Sequence, residues 1–192
     1  MVLGGRLMEH FEKKHVLEEI HSQVISWTGN CDTKASIVMA LEVVLATFIV
    51  SCDYIIDTLS AIFTHTIGYF KTGEGVFSLW ALLVCLGVIV FCILIVFSMN
   101  SLFGTLLARI DSSSPSLLYW GEIAKLTKEE YRDEIGSFLE SDYEIDKINQ
   151  IHNCSIICQK KFMFYNRALK SAMWSCAALL EIIFSSLLYN CV

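Results

Sequence analysis

Two carboxylate side chains lie within apolar parts of the sequence, where an ionised group is costly. Glu42 interrupts the apolar run of residues 35–51, and Glu181 interrupts the run of residues 172–192. Inside a membrane, such a group is either a protonated carboxyl that bonds to another helix or a carboxylate that lines a wet cavity or cation path. Both alternatives are open from the sequence, and Glu42 and Glu181 are the candidate residues of a membrane pore or gate. Counted from the start of their runs, they are expected at similar depths.

A basic cluster is the second group of candidate residues. Lys160, Lys161 and Arg167 precede the last apolar run, and Arg109 follows the central one. Such cations anchor a helix on anionic lipid headgroups, or they bind the phosphate of a ligand. The four residues are therefore a candidate ligand-binding set, although no glycine-rich nucleotide loop accompanies them.

Neither a metal site nor a catalytic site can be assembled from the sequence. Cys154 and Cys158, with His152 beside them, lack the second pair of ligands that structural zinc needs. No nucleophile and base occur in a recognisable pattern, so we expect neither an enzyme nor a cofactor. The net charge of -6 also disfavours a nucleic-acid partner, since no basic surplus is present to neutralise phosphates.

The elements that position these residues are predicted to be helices, most of them in a membrane. Residues 76–108 carry no charge, and a helix of this length spans roughly 50 Å, more than the roughly 30 Å hydrocarbon core of a bilayer. We expect an all-α integral membrane bundle with three transmembrane helices and a helical cytosolic subdomain. The predicted segments are residues 1–31 (an amphipathic cytosolic helix), 32–108 (a membrane hairpin with spans at about 35–52 and 76–104), 109–170 (a helical cytosolic insert) and 171–192 (the third span).

Local signals suggest where the helices begin and end. Residues 28–30 are expected to break the first helix, with Asp32 or Thr33 as the N-cap of the next. Residues 54–70 are interpreted as an outer continuation of the first span plus an interfacial segment, and not as a fourth span. Thr127 begins a capping-box pattern, and one long helix is expected from about residue 142 into the last span.

The distribution of lysine and arginine predicts the orientation. Basic residues precede the first span and follow the second, whereas the connection between these spans has only Lys71. The positive-inside rule therefore places the N-terminus and residues 109–170 in the cytosol.

Short motifs in this sequence resemble those of a known family. Trp27, followed by Asp32-Thr33-Lys34-Ala35-Ser36, is similar to a "W…ADTKAS" motif, and the run from Lys161 to Leu169 is similar to a "K-Y…L-R-x-A" run. Together with the layout of the three spans, they resemble the transmembrane effectors of Pycsar, the pyrimidine cyclase system for antiphage resistance. The motif residues are Trp27, Asp32, Thr33 and Lys34, and the sequence departs from the pattern at Glu42, where an uncharged polar residue is more usual.

The resemblance implies an effector in the bacterial inner membrane, paired with a pyrimidine cyclase that makes cyclic CMP or cyclic UMP. The cyclic pyrimidine nucleotide would be its activating ligand. The response would be membrane disruption or pore formation, and so abortive infection. Because three helices are too few to enclose a wide channel, such a pore requires a homo-oligomer in contact with membrane lipid. The alternative is a membrane anchor or adaptor for a soluble partner, without conduction of its own.

Overall fold

The computed structural model describes residues 2–72, 79–107 and 116–191, and its ordered elements there are helices. This confirms the all-α prediction. In chain order the helices are α1 (Val2–Ser51), α2 (Asp53–Thr72), α3 (Leu79–Leu107), α4 (Trp120–Ile123), α5 (Lys128–Ser137) and α6 (Glu140–Cys191).

Helix α1 is continuous where the sequence predicted a break. It runs from Val2 to Ser51, so the expected interruption at residues 28–30 and the N-cap at Asp32 or Thr33 are both wrong. One helical glycine costs only about 1 kcal/mol, which side-chain packing readily offsets. Thr28 also supports the helix, because its Oγ1 donates to the carbonyl oxygen of Val24 at 2.8 Å.

A single non-helical residue, Cys52, separates α1 from α2. Its carbonyl oxygen accepts from the backbone N–H groups of Ile55 (3.0 Å) and Ile56 (3.1 Å) and so begins α2. Tyr54 Oη donates to the carbonyl oxygen of Ser186 at 3.1 Å. One turn later, Asn190 Nδ2 donates to Thr58 Oγ1 at 2.9 Å. The contact moves forward by four residues on both helices, from Tyr54 to Thr58 on α2 and from Ser186 to Asn190 on α6. The start of α2 therefore runs parallel to α6, as expected of a continuation of the first span.

Three helices in the described part of the chain are long and apolar enough to cross a membrane, which confirms the predicted number of spans. These helices cover Glu12–Ser51, Leu79–Leu107 and Ser141–Cys191. Helix α6 is the long, uninterrupted helix that was expected. The Thr127 capping box is also confirmed, since its side chain accepts from the Glu130 N–H while the Glu130 side chain accepts from the Thr127 N–H.

The chain forms two compact units. The polar unit consists of Met1–Asp32 and Leu107–Phe162, and the membrane unit consists of Thr33–Leu106 and Met163–Val192. Helices α1 and α6 therefore each contribute residues to both units. In the membrane unit, the membrane-spanning segments are taken as about residues 35–52, 79–104 and 171–191.

Two apolar clusters hold the membrane unit together. The first apolar cluster contains Ala35, Val38, Leu102, Ala168 and Ala172. The second apolar cluster is built on Ile55, Phe91, Leu179 and Ile182, with Leu45 and Ile95 packed against it. The first cluster joins α6 to α1 and α3, and the core of the second joins α6 to α2 and α3. Such burial of small and branched side chains, with close van der Waals packing, holds helices together in a membrane.

Candidate functional site

In the polar unit, a ladder of polar contacts joins α1 to α6. At its centre is Lys147, whose side chain is only 8% exposed. Its Nζ lies 3.0 Å from Glu18 Oε2 and 3.0 Å from His21 Nδ1. Tyr143 Oη donates to Glu18 as well. Tyr143 contacts Glu18, and Lys147, four residues later, contacts His21, three residues later. Helices α1 and α6 therefore run parallel here.

These contacts set the protonation states of the ladder. The hydrogen bond from Tyr143, followed by that from Lys147, lowers the pKa of Glu18. The same contact with Glu18, with a smaller contribution from burial, raises the pKa of Tyr143 to about 12. Burial, and then the charge of Lys147, lowers the pKa of His21. At neutral pH the ladder therefore joins an anionic Glu18 and a neutral His21 to Lys147, an arrangement suited to holding the two helices in register.

The two sequence motifs meet in one ion pair of the polar unit. Lys161 Nζ donates to Asp32 Oδ1 at 2.6 Å, and the side chains are 8% and 37% exposed respectively. Asp32 comes from the first motif and Lys161 from the second, so the pair connects the two motifs in the folded chain. It also changes the interpretation of Lys161, because the side chain assigned to a ligand phosphate has a carboxylate partner within the chain.

The other predicted cations are divided between the units. Lys160 is half-buried in the polar unit. Arg167, in the membrane unit, is exposed, and its guanidinium lies 5.8 Å from the centroid of the Phe164 ring. Arg109 lies outside the described residues. The remaining motif residues, Trp27, Thr33 and Lys34, are exposed on α1.

Glu42 is completely buried in the membrane unit, at 0% exposure. Neither of its carboxyl oxygens has a hydrogen-bond partner among the residues that the structure describes. The neighbouring polar side chain is Ser98 of α3. Its Oγ donates to the carbonyl oxygen of Ala168 at 3.2 Å instead. The carboxyl of Glu42 is thus enclosed by three helices of one chain.

Glu181 lies in a different environment from Glu42. Its Oε1 accepts from Ser185 Oγ at 2.7 Å. A Cβ atom added at Gly87 would lie only 2.1 Å from its Oε2, so the carboxyl rests directly on the backbone of α3. Glu181 therefore packs against a helix of its own chain. Glu181 lies beside Ile182 of the second apolar cluster, whereas Glu42 lies on α1 between Val38 of the first cluster and Leu45, which packs on the second. The expectation of similar depths in the membrane stays a prediction.

The sequence patterns did not single out some residues that contribute to these sites. Ser98, Ser101 and Thr105 are all buried on α3. Their spacing of three and four residues could have indicated one hydroxyl-bearing helix face. Lys147 and His21 gave no such signal, because single polar residues on two distant helices reveal their contact only in the folded chain. As for metals, no group of three or more potential ligands is found in the described ranges.

Comparison with known proteins covers both units. The family described as Pycsar effector protein domain matches residues 16–189. The chain is 24% identical over 171 residues to the Pycsar effector protein GmPycTM of Gulbenkiania mobilis, which covers 85% of this chain and 87% of that protein. No solved structure matches. Since the family match extends over most of the chain, and the helices and motif residues agree with the resemblance, this protein belongs to the Pycsar effector family and is a membrane effector of antiphage defence.

Proposed function

We propose that this chain responds to cyclic CMP or cyclic UMP by disrupting the membrane as a homo-oligomer, which arrests the infected cell. The observation that carries the proposal is the family match over residues 16–189, which includes both the polar unit and the membrane unit. The proposed setting is the bacterial inner membrane with the N-terminus and the polar unit in the cytosol, where a pyrimidine cyclase would release the nucleotide.

The proposed ligand contacts are the basic residues Lys160, Lys161, Arg167 and Arg109. The phosphate of a cyclic nucleotide carries one negative charge, and a charge-assisted contact contributes roughly 1.5–3 kcal/mol. Because Lys161 is paired with Asp32, a phosphate that reaches Lys161 competes with that carboxylate. Binding would then weaken the pair, which is a direct way to connect the nucleotide to the α1–α6 contact.

The proposed output is a change in the membrane unit. Three spans from one chain cannot surround a wide channel, so several copies must assemble. Helices α1 and α6 contribute to both units. A nucleotide that changes their contact in the polar unit therefore acts on the same helices that cross the membrane.

Co-expression with a pyrimidine cyclase tests the proposal. The chain is expressed with an active cyclase or with an inactivated one, and growth and membrane potential are followed with a voltage-sensitive dye. Depolarisation and growth arrest are expected only with the active cyclase. If the active cyclase leaves both unchanged while the chain is present in the membrane, the anchor alternative is favoured instead.

Calorimetry of the purified protein in detergent tests the ligand. Cyclic CMP or cyclic UMP should bind more tightly than cyclic AMP or cyclic GMP. Replacing one contacting cation by alanine should weaken binding at least about tenfold. If alanine at Arg109, Lys160, Lys161 and Arg167 together leaves the affinity intact, the nucleotide binds elsewhere.

A further inference from the structure

A polar layer crosses the core of the membrane unit. It consists of Glu42 from α1 and Ser98 from α3, each with 0% of its surface exposed, and of the carbonyl oxygen of Ala168 on α6, to which Ser98 Oγ donates. Ser98 is the polar neighbour of the Glu42 carboxyl. Three helices thus each contribute one polar group to a region that is otherwise packed with apolar groups.

The packing of the two apolar clusters fixes the level of this polar layer. On α1, the layer falls between Val38 of the first apolar cluster and Leu45, which packs on the second. On α3, it falls between Leu102 of the first apolar cluster and Ile95, which packs on the second. Apolar side chains therefore enclose the layer on both sides, so it is not accessible to water in this conformation.

The hydroxyl proton of Ser98 is already used, because Ser98 Oγ donates to the carbonyl oxygen of Ala168 at 3.2 Å. The Ser98 oxygen can therefore still accept a hydrogen bond from Glu42. An ionised carboxylate needs donors, which the described surroundings of Glu42 do not provide. A protonated carboxyl supplies its own donor.

Charged groups on the three helices do not compensate for an ionised Glu42. The cations of α1, α3 and α6 in the membrane unit are Lys34, Arg167 and Lys170, and all three are exposed. Lys34 precedes Glu42 by eight positions, or about 12 Å along the helix. The nearest acidic residue on α6, Glu181, lies thirteen positions beyond Ala168, or about 20 Å along the helix, and rests on Gly87. An ionised carboxylate that is buried here without a donor or a counter-ion is strongly disfavoured.

We propose that Glu42 is a proton-binding site, occupied in the closed membrane unit, with its O–H donating to Ser98 Oγ. When the helices separate and water enters the layer, the proton passes from Glu42 to a water molecule, and the remaining carboxylate carries one negative charge. That carboxylate favours cations over anions along the wetted path. This second step rests on the proposed function, whereas the protonated closed state does not.

Infrared spectroscopy tests the closed state without any activity. Spectra of the purified wild-type protein and of Glu42→Gln, both without nucleotide, are subtracted. The expected difference is the C=O band of one protonated carboxyl, and Ser98→Ala should shift that band because its hydrogen bond is lost. Only ionised-carboxylate bands in the difference would overturn the proposal. Glu181→Gln is the matched control, and it must leave the Glu42 band in place.

Ion flux from protein-containing liposomes tests the second step. With cyclic CMP or cyclic UMP added, the wild-type protein should pass cations in preference to anions, and Glu42→Gln should lose most of that preference while still opening. Glu129→Gln, which removes an exposed carboxylate of α5 in the polar unit, should keep it. An unchanged preference in Glu42→Gln overturns the cation role of Glu42. If wild-type liposomes stay sealed with either nucleotide, the proposed function fails together with the second step, while the infrared result still decides the closed state.

Discussion

At the scale of single residues, the polar unit depends on charges that find partners inside the chain. Lys161 is nearly buried against Asp32, and Lys147 is nearly buried against Glu18 and His21. Removing one partner of such a pair leaves an unpaired charge that is shielded from water. The stability of the contact between α1 and α6 is therefore sensitive to single charge-removing substitutions.

Asp32→Asn is expected to destabilise the protein by about 1.5–3 kcal/mol, because Lys161 keeps its charge and loses its counter-ion. The partial exposure of Asp32 places the effect toward the lower end of this range. Thermal unfolding in detergent measures it, and the neighbouring Lys160→Gln is the control. A double-mutant cycle with Lys161→Gln isolates the pair. Single effects that simply add in the double variant would show that the pair contributes nothing.

The ladder predicts how stability changes with pH. The pKa of His21 is below its ordinary value of 6.5 in the folded chain, so the unfolded chain takes up this proton first as the pH falls. Stability is therefore lost as the pH falls from about 6.5 towards the lower folded pKa. The pKa of Glu18 is lowered from an ordinary value of 4.5, so its contribution is lost only at lower pH.

His21→Gln should accordingly make stability less dependent on pH between about 6.5 and 5. The melting temperature in detergent at several pH values measures this slope. The control is His152→Gln, since His152 is exposed on α6. A slope that is steeper in His21→Gln than in the wild type would contradict the assignment of neutral His21 at neutral pH.

At the scale of elements, two helical glycines have opposite roles. A Cβ at Gly87 would lie 2.1 Å from Glu181 Oε2 and 2.9 Å from Ile182 Cγ1, whereas a Cβ at Gly29 would meet nothing within 4 Å. Gly87 therefore permits the close approach of α3 and α6. At position 29 of the continuous helix α1, the surrounding space does not require the small size of glycine.

Gly87→Ala should destabilise the membrane unit by about 1–3 kcal/mol, because Ile182 and Glu181 must both move. Gly29→Ala should stabilise the protein by roughly 0.5–1 kcal/mol, since alanine favours the helix that glycine weakens. Thermal unfolding of both variants measures the contrast. Equal effects of the two substitutions would mean that α3 and α6 are not in the close contact described.

At the scale of the whole molecule, we expect the distribution of charge to set the orientation in the membrane. The basic residues of 109–170 and of the N-terminal part favour the cytosol, and the connection around Lys71 favours the outside. The first two spans separate the N-terminal part from residues 109–170 and so place these two parts on the same side. The bias of positive charge then sets the expected orientation.

Cysteine labelling checks the orientation. In a chain whose eight native cysteines are replaced, a membrane-impermeant reagent added outside intact spheroplasts should label Thr72→Cys and not Ser137→Cys. Permeabilised cells, in which both should react, are the control. Labelling of Ser137→Cys alone from the outside would invert the proposed topology.

The sequence by itself determined the helical class, the three spans, the Thr127 capping box, the long α6 and the family resemblance. These depend on local composition or on short motifs, because an uncharged run of about 30 residues has few other stable conformations. The predicted break at residues 28–30 was wrong because that prediction, too, used only local signals. Local breaker signals do not include the packing that keeps a helix continuous through Gly29.

Only the tertiary structure decided which polar residues meet. Asp32 and Lys161 are 129 positions apart, and each alone is an ordinary surface charge in the sequence. Glu42 and Glu181 appear equivalent in the sequence, yet one is enclosed without a hydrogen-bond partner among the described residues and the other is bonded to Ser185. The difference arises because the register between packed helices, which brings distant side chains together, is set by the shapes of both helices and not by either segment alone.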